Sequence, residues 1–234
     1  MNILLTNDDG FNSIGINILK DKLVKYGRVV IVAPLKHMSA KSVAITLGDG
    51  YEVKVVDKDV YAVDGTPADC VSFALTALDT KFDVVISGCN AGFNISYDTL
   101  YSGTIGAALE SLTKDVKAVA FSCNFNFDIV EKYFEQVFEY ILEKDLLSSE
   151  YLLNVNFPNG EEVLGIKLSS LYYAKHESYF VIENGRYYVH RICQEDYSDE
   201  PESDCYLVHH GYVSITPLSK TCFHQSVLTA LKGK

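Results

Sequence analysis

The sequence predicts an α/β fold, a mostly parallel sheet with helices on both faces. Two observations carry this. Over the first two-thirds of the chain, short apolar runs alternate with segments whose apolar residues recur at helical spacing. The runs are rich in Val and Ile and lack polar alternation, as strands covered on both faces should be. A third observation adds a hairpin: Asn184-Gly185 lies between two aromatic runs.

In chain order, Asn2 to Thr6 reads as a strand, and Ile14, Ile18, Leu19 and Leu23 then recur at helical spacing until Gly27. Arg28 to Val32 is a second strand, ended by Pro34. Tyr51 to Val56 and Val60 to Val63 read as short strands around an acidic turn. Thr66-Pro67-Ala68-Asp69 starts a helix to about Leu78, with Thr as N-cap, Pro in the first turn and Asp three residues on from the cap. Phe82 to Ile86 is the next strand, followed by a long polar loop through Asp98. A helix of small residues runs from Ser102 to near Leu112, then a strand from Lys117 to Phe121. Asp128-x-x-Glu131 opens a helix with Val130, Phe134, Val137, Phe138 and Ile141 on one face.

After about Pro158 the texture changes. The hairpin runs Tyr179 to Ile182 and Arg186 to His190, and Gly211 to Thr216 reads as one more strand. We expect one domain over residues 1–234, its α/β core at about 1–158 and a C-terminal extension with a hairpin arm at about 159–234. A lone two-stranded hairpin is marginally stable, so the arm is expected to pack on a partner subunit.

Twenty Lys+Arg against 31 Asp+Glu give a net charge of −11, which argues against a nucleic-acid polymer as partner. The longest apolar run is five residues, Val29 to Ala33, far short of a membrane span. The N-terminus does not read as a signal peptide, because Asp8 and Asp9 interrupt its apolar stretch. The six cysteines form no CxxC pair and read as reduced thiols, mostly filling the core. A cytoplasmic location and no membrane partner are therefore expected.

Asn7-Asp8-Asp9-Gly10 directly follows the first strand. Ligands of open α/β sheets bind outside the carboxyl ends of strands, so this tetrad lies where a site belongs. Adjacent carboxylates repel unless a positive charge relieves them, and a hard divalent cation such as Mg²⁺ favours oxygen ligands. A hairpin turn is the alternative, but residues 13–26 read as a helix, not a returning strand. Ser87-Gly88-Cys89-Asn90-Ala91-Gly92-Phe93-Asn94 follows another strand; its glycines allow close approach and its asparagines offer neutral donors, though a plain surface loop suits it equally. Ser102-Gly103-Thr104 opens a helix, where N–H groups and two hydroxyls suit either a phosphate cradle or simple capping. Ser39-Ala40-Lys41-Ser42 adds hydroxyls and a cation after the second strand. Each loop alone is weak; their convergence on one sheet edge is the informative feature. His37 and His176 fall in plausible site loops, but surface or core positions suit them better, and the tyrosines at 172, 173, 179, 187 and 188 read as packing in the arm rather than as base-stacking groups.

The stretches ILLTNDDG (Ile3 to Gly10), Val32 to Pro34 with Ser39, GTPADCV (Gly65 to Val71), VVISGCNAGFN (Val84 to Asn94), YSGTIGA (Tyr101 to Ala107) and GYVSITPL (Gly211 to Leu218) resemble the SurE survival proteins, metal-dependent nucleotidases, in the family's order along nearly the whole chain. The resemblance implies a Rossmann-like three-layer sandwich with a C-terminal hairpin arm exchanged between subunits, as a homodimer or homotetramer. It implies one divalent cation per subunit (Mg²⁺, Mn²⁺ or Co²⁺), held by Asp8, Asp9, Ser39 and Asn90, with Asp8 and Asp9 as the catalytic pair. It places Asn94, Ser102, Gly103 and Thr104 in the phosphate pocket and implies hydrolysis of nucleoside 5′- and 3′-monophosphates, sometimes with polyphosphate. The chain departs from the family at Cys89, usually aliphatic, at Ser111, usually glycine, and through residues 169–210, which match poorly.

Two other readings use the same acidic pair. A haloacid-dehalogenase-type phosphatase needs its nucleophilic Asp where this chain has Asn7. A non-enzymatic receiver-like module needs a Lys at the end of its last core strand, whereas Lys117 begins that strand.

Overall fold

The structure is a computed structural model and describes residues 1–173, 176–193, 197 and 199–220. Its elements in order are β1 (Asn2–Thr6), α1 (Ile14–Leu23), β2 (Arg28–Pro34), β3 (Val53–Asp57), β4 (Val60–Val63), α2 (Pro67–Ala77), β5 (Val84–Ala91), α3 (Asp98–Tyr101), α4 (Gly103–Thr113), β6 (Lys117–Cys123), α5 (Phe127–Glu143), β7 (Tyr151–Asn156), β8 (Gly165–Leu168), β9 (His176–Glu183), β10 (Arg186–Cys193), α6 (Asp204–His209) and β11 (Tyr212–Ser219).

The main sheet has the order β3-β4-β2-β1-β5-β6-β7-β11-β8. The strands from β4 through β7 pair in parallel, and antiparallel pairs occur where β3 meets β4 and where β11 meets β7. Side chains alternate across each strand, which explains the unbroken apolar runs. Ile3 and Leu5 join the core beneath α1 and α5, whereas Leu4 joins the core beneath α2 and α4; β2 and β5 divide in the same way. The α1/α5 side is the larger and is built on Phe121, Phe134 and Phe138, with Phe121 and Phe134 edge to face at 5.0 Å. Burying such a ring contributes roughly 1.5–3 kcal/mol. The α/β three-layer expectation holds.

Helix starts follow the local chemistry. Thr66 and Asp69 form a reciprocal capping box with Pro67 in the first turn of α2, and the Ser102 and Ser203 hydroxyls each accept the N–H three residues on. Several boundaries differ from those read in the sequence: β5 runs on to Ala91, β6 to Cys123 and β2 to Pro34, and the loop ending at Asp98 carries the single turn α3. β7, β8 and α6 were not anticipated. β7 and β11 pair in the main sheet with β8 on its edge, so the region after Pro158 supplies two of its strands.

The hairpin forms a separate two-stranded sheet, with Asn184 and Gly185 both at positive φ (51° and 74°), as the tight hairpin turn requires. Phe180, Ile182, Tyr187, Val189 and Ile192 on it are exposed. Cys70, Cys89, Cys123 and Cys205 are free and buried, as expected of core thiols; Cys222 and His224 lie outside the described residues, as do the side chains of Cys193 and His176. Ser111 is accommodated where glycine is usual, because its buried hydroxyl donates to the carbonyls of Ala108 (2.8 Å) and Val116 (3.2 Å).

Candidate active site

After β1 the chain crosses by α1 to β2 on one side of β1, and later returns by α2 to β5 on the other side. The carboxyl ends of β1 and β5 therefore flank the topological switch point, where open sheets hold ligands. Asp8 and Asp9 leave one strand there; Asn90 and Ala91 end the other, with Gly92 to Asn94 beyond it.

The β1 loop is shaped by Asn7. Its side chain donates to the Gly10 carbonyl (3.0 Å) and to Ser13 Oγ (2.7 Å), and accepts from the Gly10 N–H (3.1 Å). These bonds turn the chain sharply, with Gly10 at φ 109°, and leave the two carboxylates at the crevice. Asp9 Oδ2 accepts the Ala91 N–H at 3.2 Å and ties the β1 loop to the end of β5. Its other oxygen lies 3.2 Å from His37 Nδ1, so a histidine that reads as an ordinary surface residue in the sequence faces the acidic pair. Nothing in the sequence marked it beyond its place two residues before Ser39.

Asp8 is buried, and its Oδ1 accepts the Thr104 hydroxyl at 2.7 Å. The start of α4 presses against it: a Cβ on Gly103 would stand 2.9 Å from Asp8 Cβ and 3.0 Å from its Oδ2. Only glycine leaves that approach open. Burial raises the Asp8 pKa above the ordinary carboxylate range, and repulsion from Asp9 adds to this; the Thr104 hydrogen bond opposes both. The Ser102 hydroxyl caps α4 by accepting the Ile105 N–H, and the close approach of Gly103 to Asp8 sets the first turn of α4 beside the acidic pair.

Ser39 sits exposed on the loop after β2, which is fastened along its length. The Met38 N–H donates to the Asp8 carbonyl (2.7 Å) and the Ser42 N–H to the Tyr101 carbonyl (2.9 Å). A Cβ on Gly106 would lie 1.9 Å from the Ser42 carbonyl oxygen, so the loop lies directly on α4. Asp69 holds the far end by accepting the Thr46 N–H (2.9 Å) and hydroxyl (2.7 Å), and the Thr66 hydroxyl donates to the Ala44 carbonyl (2.6 Å).

Asn90 spends its amide nitrogen on the Gly92 carbonyl (2.8 Å), which leaves its Oδ1 as a donor atom at the crevice. Asn94 is turned inward instead. It is buried; its amide donates to Ser122 Oγ (2.8 Å), its N–H to Asn156 Oδ1 (2.8 Å), and its carbonyl accepts from Asn154 (2.7 Å) and Asn156 (3.1 Å). Its bonds fix the loop after β5 rather than reach for a ligand. Asn154 and Asn156, which do this fixing, passed unnoticed in the sequence.

Asp8, Asp9, Asn90, Ser102, Gly103 and Thr104 thus gather at one crevice, with the Ser39 loop fastened over it. No three His, Cys, Asp or Glu side chains gather to hold a metal among the described residues. The donors are two carboxylates and neutral oxygens, a set that fits a hard cation and not a soft one.

The sequence pattern of the family described as survival protein SurE matches residues 3–178. A Clostridium botulinum protein named 5′-nucleotidase SurE is 35% identical over 234 residues, covering 93% of each chain, and one from another strain is 39% identical over 93% of this chain and 92% of its own. The crystal structure of the SurE protein from Aquifex aeolicus superposes with a TM-score of 0.86 at 33% identity, covering 99% of this chain and 98% of that one.

Proposed function

The chain belongs to the SurE family, and from that premise we propose that it is a metal-dependent phosphomonoesterase hydrolysing nucleoside 5′-monophosphates, and 3′-monophosphates as well, to nucleoside and phosphate. The observation that carries this is the Asp8–Thr104 hydrogen bond, which joins the acidic pair to the N-terminus of a buried helix. Hydrolysis of a phosphate ester needs both parts together: a cation site and a fixed anion cradle.

Asp8, Asp9, Ser39 and Asn90 hold one divalent cation per subunit, Mg²⁺, Mn²⁺ or Co²⁺. When bound, it supplies Lewis acidity toward the phosphoryl oxygens. The N–H groups opening α4 at Gly103 and Thr104 receive those oxygens and stabilise the charge that builds on them. Asp8 is committed to Thr104 and largely closed from solvent, so its role is to fix the cation site. Asp9, with a side chain 15% exposed, is the carboxylate placed to orient the attacking water. Asn7, where the dehalogenase-type nucleophile would stand, is consumed in loop bonds, and that alternative is not favoured.

The free thiols support a cytoplasmic location, and no described helix is long and apolar enough to cross a membrane. The exposed aromatic arm supports a homodimer or homotetramer. The deciding experiment is a phosphate-release panel over nucleoside 5′- and 3′-monophosphates with Mg²⁺, Mn²⁺ and Co²⁺. Metal-dependent release of free phosphate is expected; a stable phosphorylated protein in its place would favour the dehalogenase or receiver chemistry.

A further inference from the structure

The histidine beside the acidic pair is carried there by a turn that is tied on both sides. Before it, the Leu35 N–H donates to the Val63 carbonyl (2.7 Å); after it, the Met38 N–H donates to the Asp8 carbonyl (2.7 Å). The end of β2, which leads into the turn, is fastened to the β1 loop, because the Pro34 carbonyl accepts the Phe11 N–H (3.0 Å). Within the turn, Lys36 Nζ stands 3.0 Å from Asp64 Oδ1, and His37 Nδ1 stands 3.2 Å from Asp9 Oδ1. The His37 side chain is 63% exposed, so its place over Asp9 comes from the backbone that carries it and not from packing around the ring.

Two features of this contact suit coordination. Asp9 Oδ2 accepts the Ala91 N–H (3.2 Å), so the oxygen beside His37 is the one which that bond leaves available. The separation of Nδ1 and Oδ1 is also that of neighbouring ligands on one ion. With metal–nitrogen and metal–oxygen distances of about 2.0–2.2 Å, two donors at a right or tetrahedral angle lie roughly 3 Å apart. Asp8 Oδ1 is turned instead to Thr104, in keeping with the finding that no third His, Cys, Asp or Glu converges with this pair among the described residues. Ser39, two residues along the same turn, and Asn90 remain the neutral oxygen donors.

We propose that His37, through Nδ1, is a nitrogen ligand of the cation that Asp9 holds, so that this chain takes a transition-metal ion such as Co²⁺ in preference to Mg²⁺. The inference rests on the cation reading above and deepens it by naming a further donor and the selectivity that donor brings. Magnesium favours oxygen donors throughout, whereas an imidazole nitrogen strengthens binding of the later first-row ions.

The test uses the metals alone, at one fixed pH. Titration calorimetry gives the dissociation constants of Co²⁺ and Mg²⁺ for the unaltered chain, His37→Ala and His37→Asn; an exposed position should let both variants fold. Each variant is expected to bind Co²⁺ at least about tenfold more weakly and Mg²⁺ almost unchanged, since loss of a ligand costs no less than loss of a group supporting one. Pulsed electron paramagnetic resonance of bound Mn²⁺ should show nitrogen hyperfine modulation in the unaltered chain and none in either variant. Unchanged or tighter Co²⁺ binding in His37→Ala would mean that the imidazole only pairs with Asp9, and would overturn the proposal. Equal losses for Co²⁺ and Mg²⁺, or no nitrogen modulation in the unaltered chain, would overturn it too. A nitrogen signature in a chain that releases no phosphate from adenosine 5′-monophosphate keeps the ligand and rejects the phosphatase. Metal-dependent release without that signature does the reverse, and an unaltered chain that binds none of these cations overturns both.

Discussion

Thr104 gives its hydroxyl proton to Asp8 Oδ1 at 2.7 Å, so the N-terminus of α4, proposed above as the phosphate cradle, and a carboxylate of the proposed cation site are fastened to each other. The family resemblance implies that Thr104 lines the phosphate pocket, and loss of such a contact would raise KM. The geometry changes that expectation: the hydroxyl proton is already committed to Asp8. Thr104→Val keeps the volume, removes the donor, and is expected to lower kcat about tenfold, as loss of a contact supporting a metal ligand does. Steady-state kinetics at saturating Mn²⁺ check this; a change confined to KM would return Thr104 to the substrate.

Asp8→Asn and Asp9→Asn each remove a formal charge from a site whose other donors are neutral. A loss of at least about 10²-fold in kcat is expected for either, comparable with losing a principal electrostatic group. Their melting temperatures without metal should diverge from their activities. Burial and Asp9 raise the Asp8 pKa, so the folded chain holds that proton more tightly than the unfolded one and loses stability as pH rises through the raised value. At neutral pH a neutral Asn escapes that cost, and metal-free Asp8→Asn should melt above the unaltered chain. Near-normal kcat in both variants would make the acidic pair a turn and nothing more.

Removal of the cation should abolish activity and its return should restore it. Phosphate release is expected to vanish in excess EDTA and to recover with Mg²⁺, Mn²⁺ or Co²⁺. A cation held by the folded chain alone should also raise the melting temperature, by the equivalent of about 2.7 kcal/mol at a hundredfold excess over its dissociation constant. Full activity in EDTA would contradict the donor set.

What the sequence made legible was local. Thr66 and Asp69 were readable as a cap because the bonds span three residues; that Asp69 also holds Thr46 was not, because the partner lies 23 positions away. Asp204 and Ser96 are separated by 108 positions and nothing in either neighbourhood announces the bond. β7 escaped notice because Asn154 and Asn156 interrupt its apolar run; they are inside to hold Asn94. β8 and α6 have four and six residues, too few to display a period. Tyr173 was read as part of the arm, and it stands instead against Tyr97.

The hairpin β9–β10 presents Phe180, Ile182, Tyr187, Val189 and Ile192 to solvent in the isolated chain and, among the described residues, pairs with no other strand. Such a surface is stable when another subunit covers it. Light scattering at micromolar concentration is expected to give at least a dimer, and Phe180→Glu with Tyr187→Glu should shift it toward monomer by placing charges in the contact. A monomer mass for the unaltered chain would leave the arm unexplained.

Asp204 should be sensitive to conservative replacement. The two Asp204 oxygens accept all three N–H bonds from Ser96, Tyr172 and Cys205, and a carboxyl keeps a lone pair on its O–H oxygen when protonated; Asn offers one oxygen and turns an N–H toward a donor. Asp204→Asn is therefore expected to destabilise the chain by about 1–3 kcal/mol, the cost of a buried donor left unpaired. The pH dependence separates this from a general loss of packing. Burial raises the Asp204 pKa against the pull of its N–H partners, so the folded state binds the proton more tightly than the unfolded state. Stability from this residue is then greatest below the unfolded pKa and falls as pH rises through the folded one. The gap in melting temperature between the unaltered chain and Asp204→Asn should accordingly be widest near about pH 4 and narrow as the pH is raised toward neutrality, the range over which a raised carboxylate titrates. A gap that does not change with pH would mean that Asp204 keeps an ordinary carboxylate pKa and that the variant acts through packing alone.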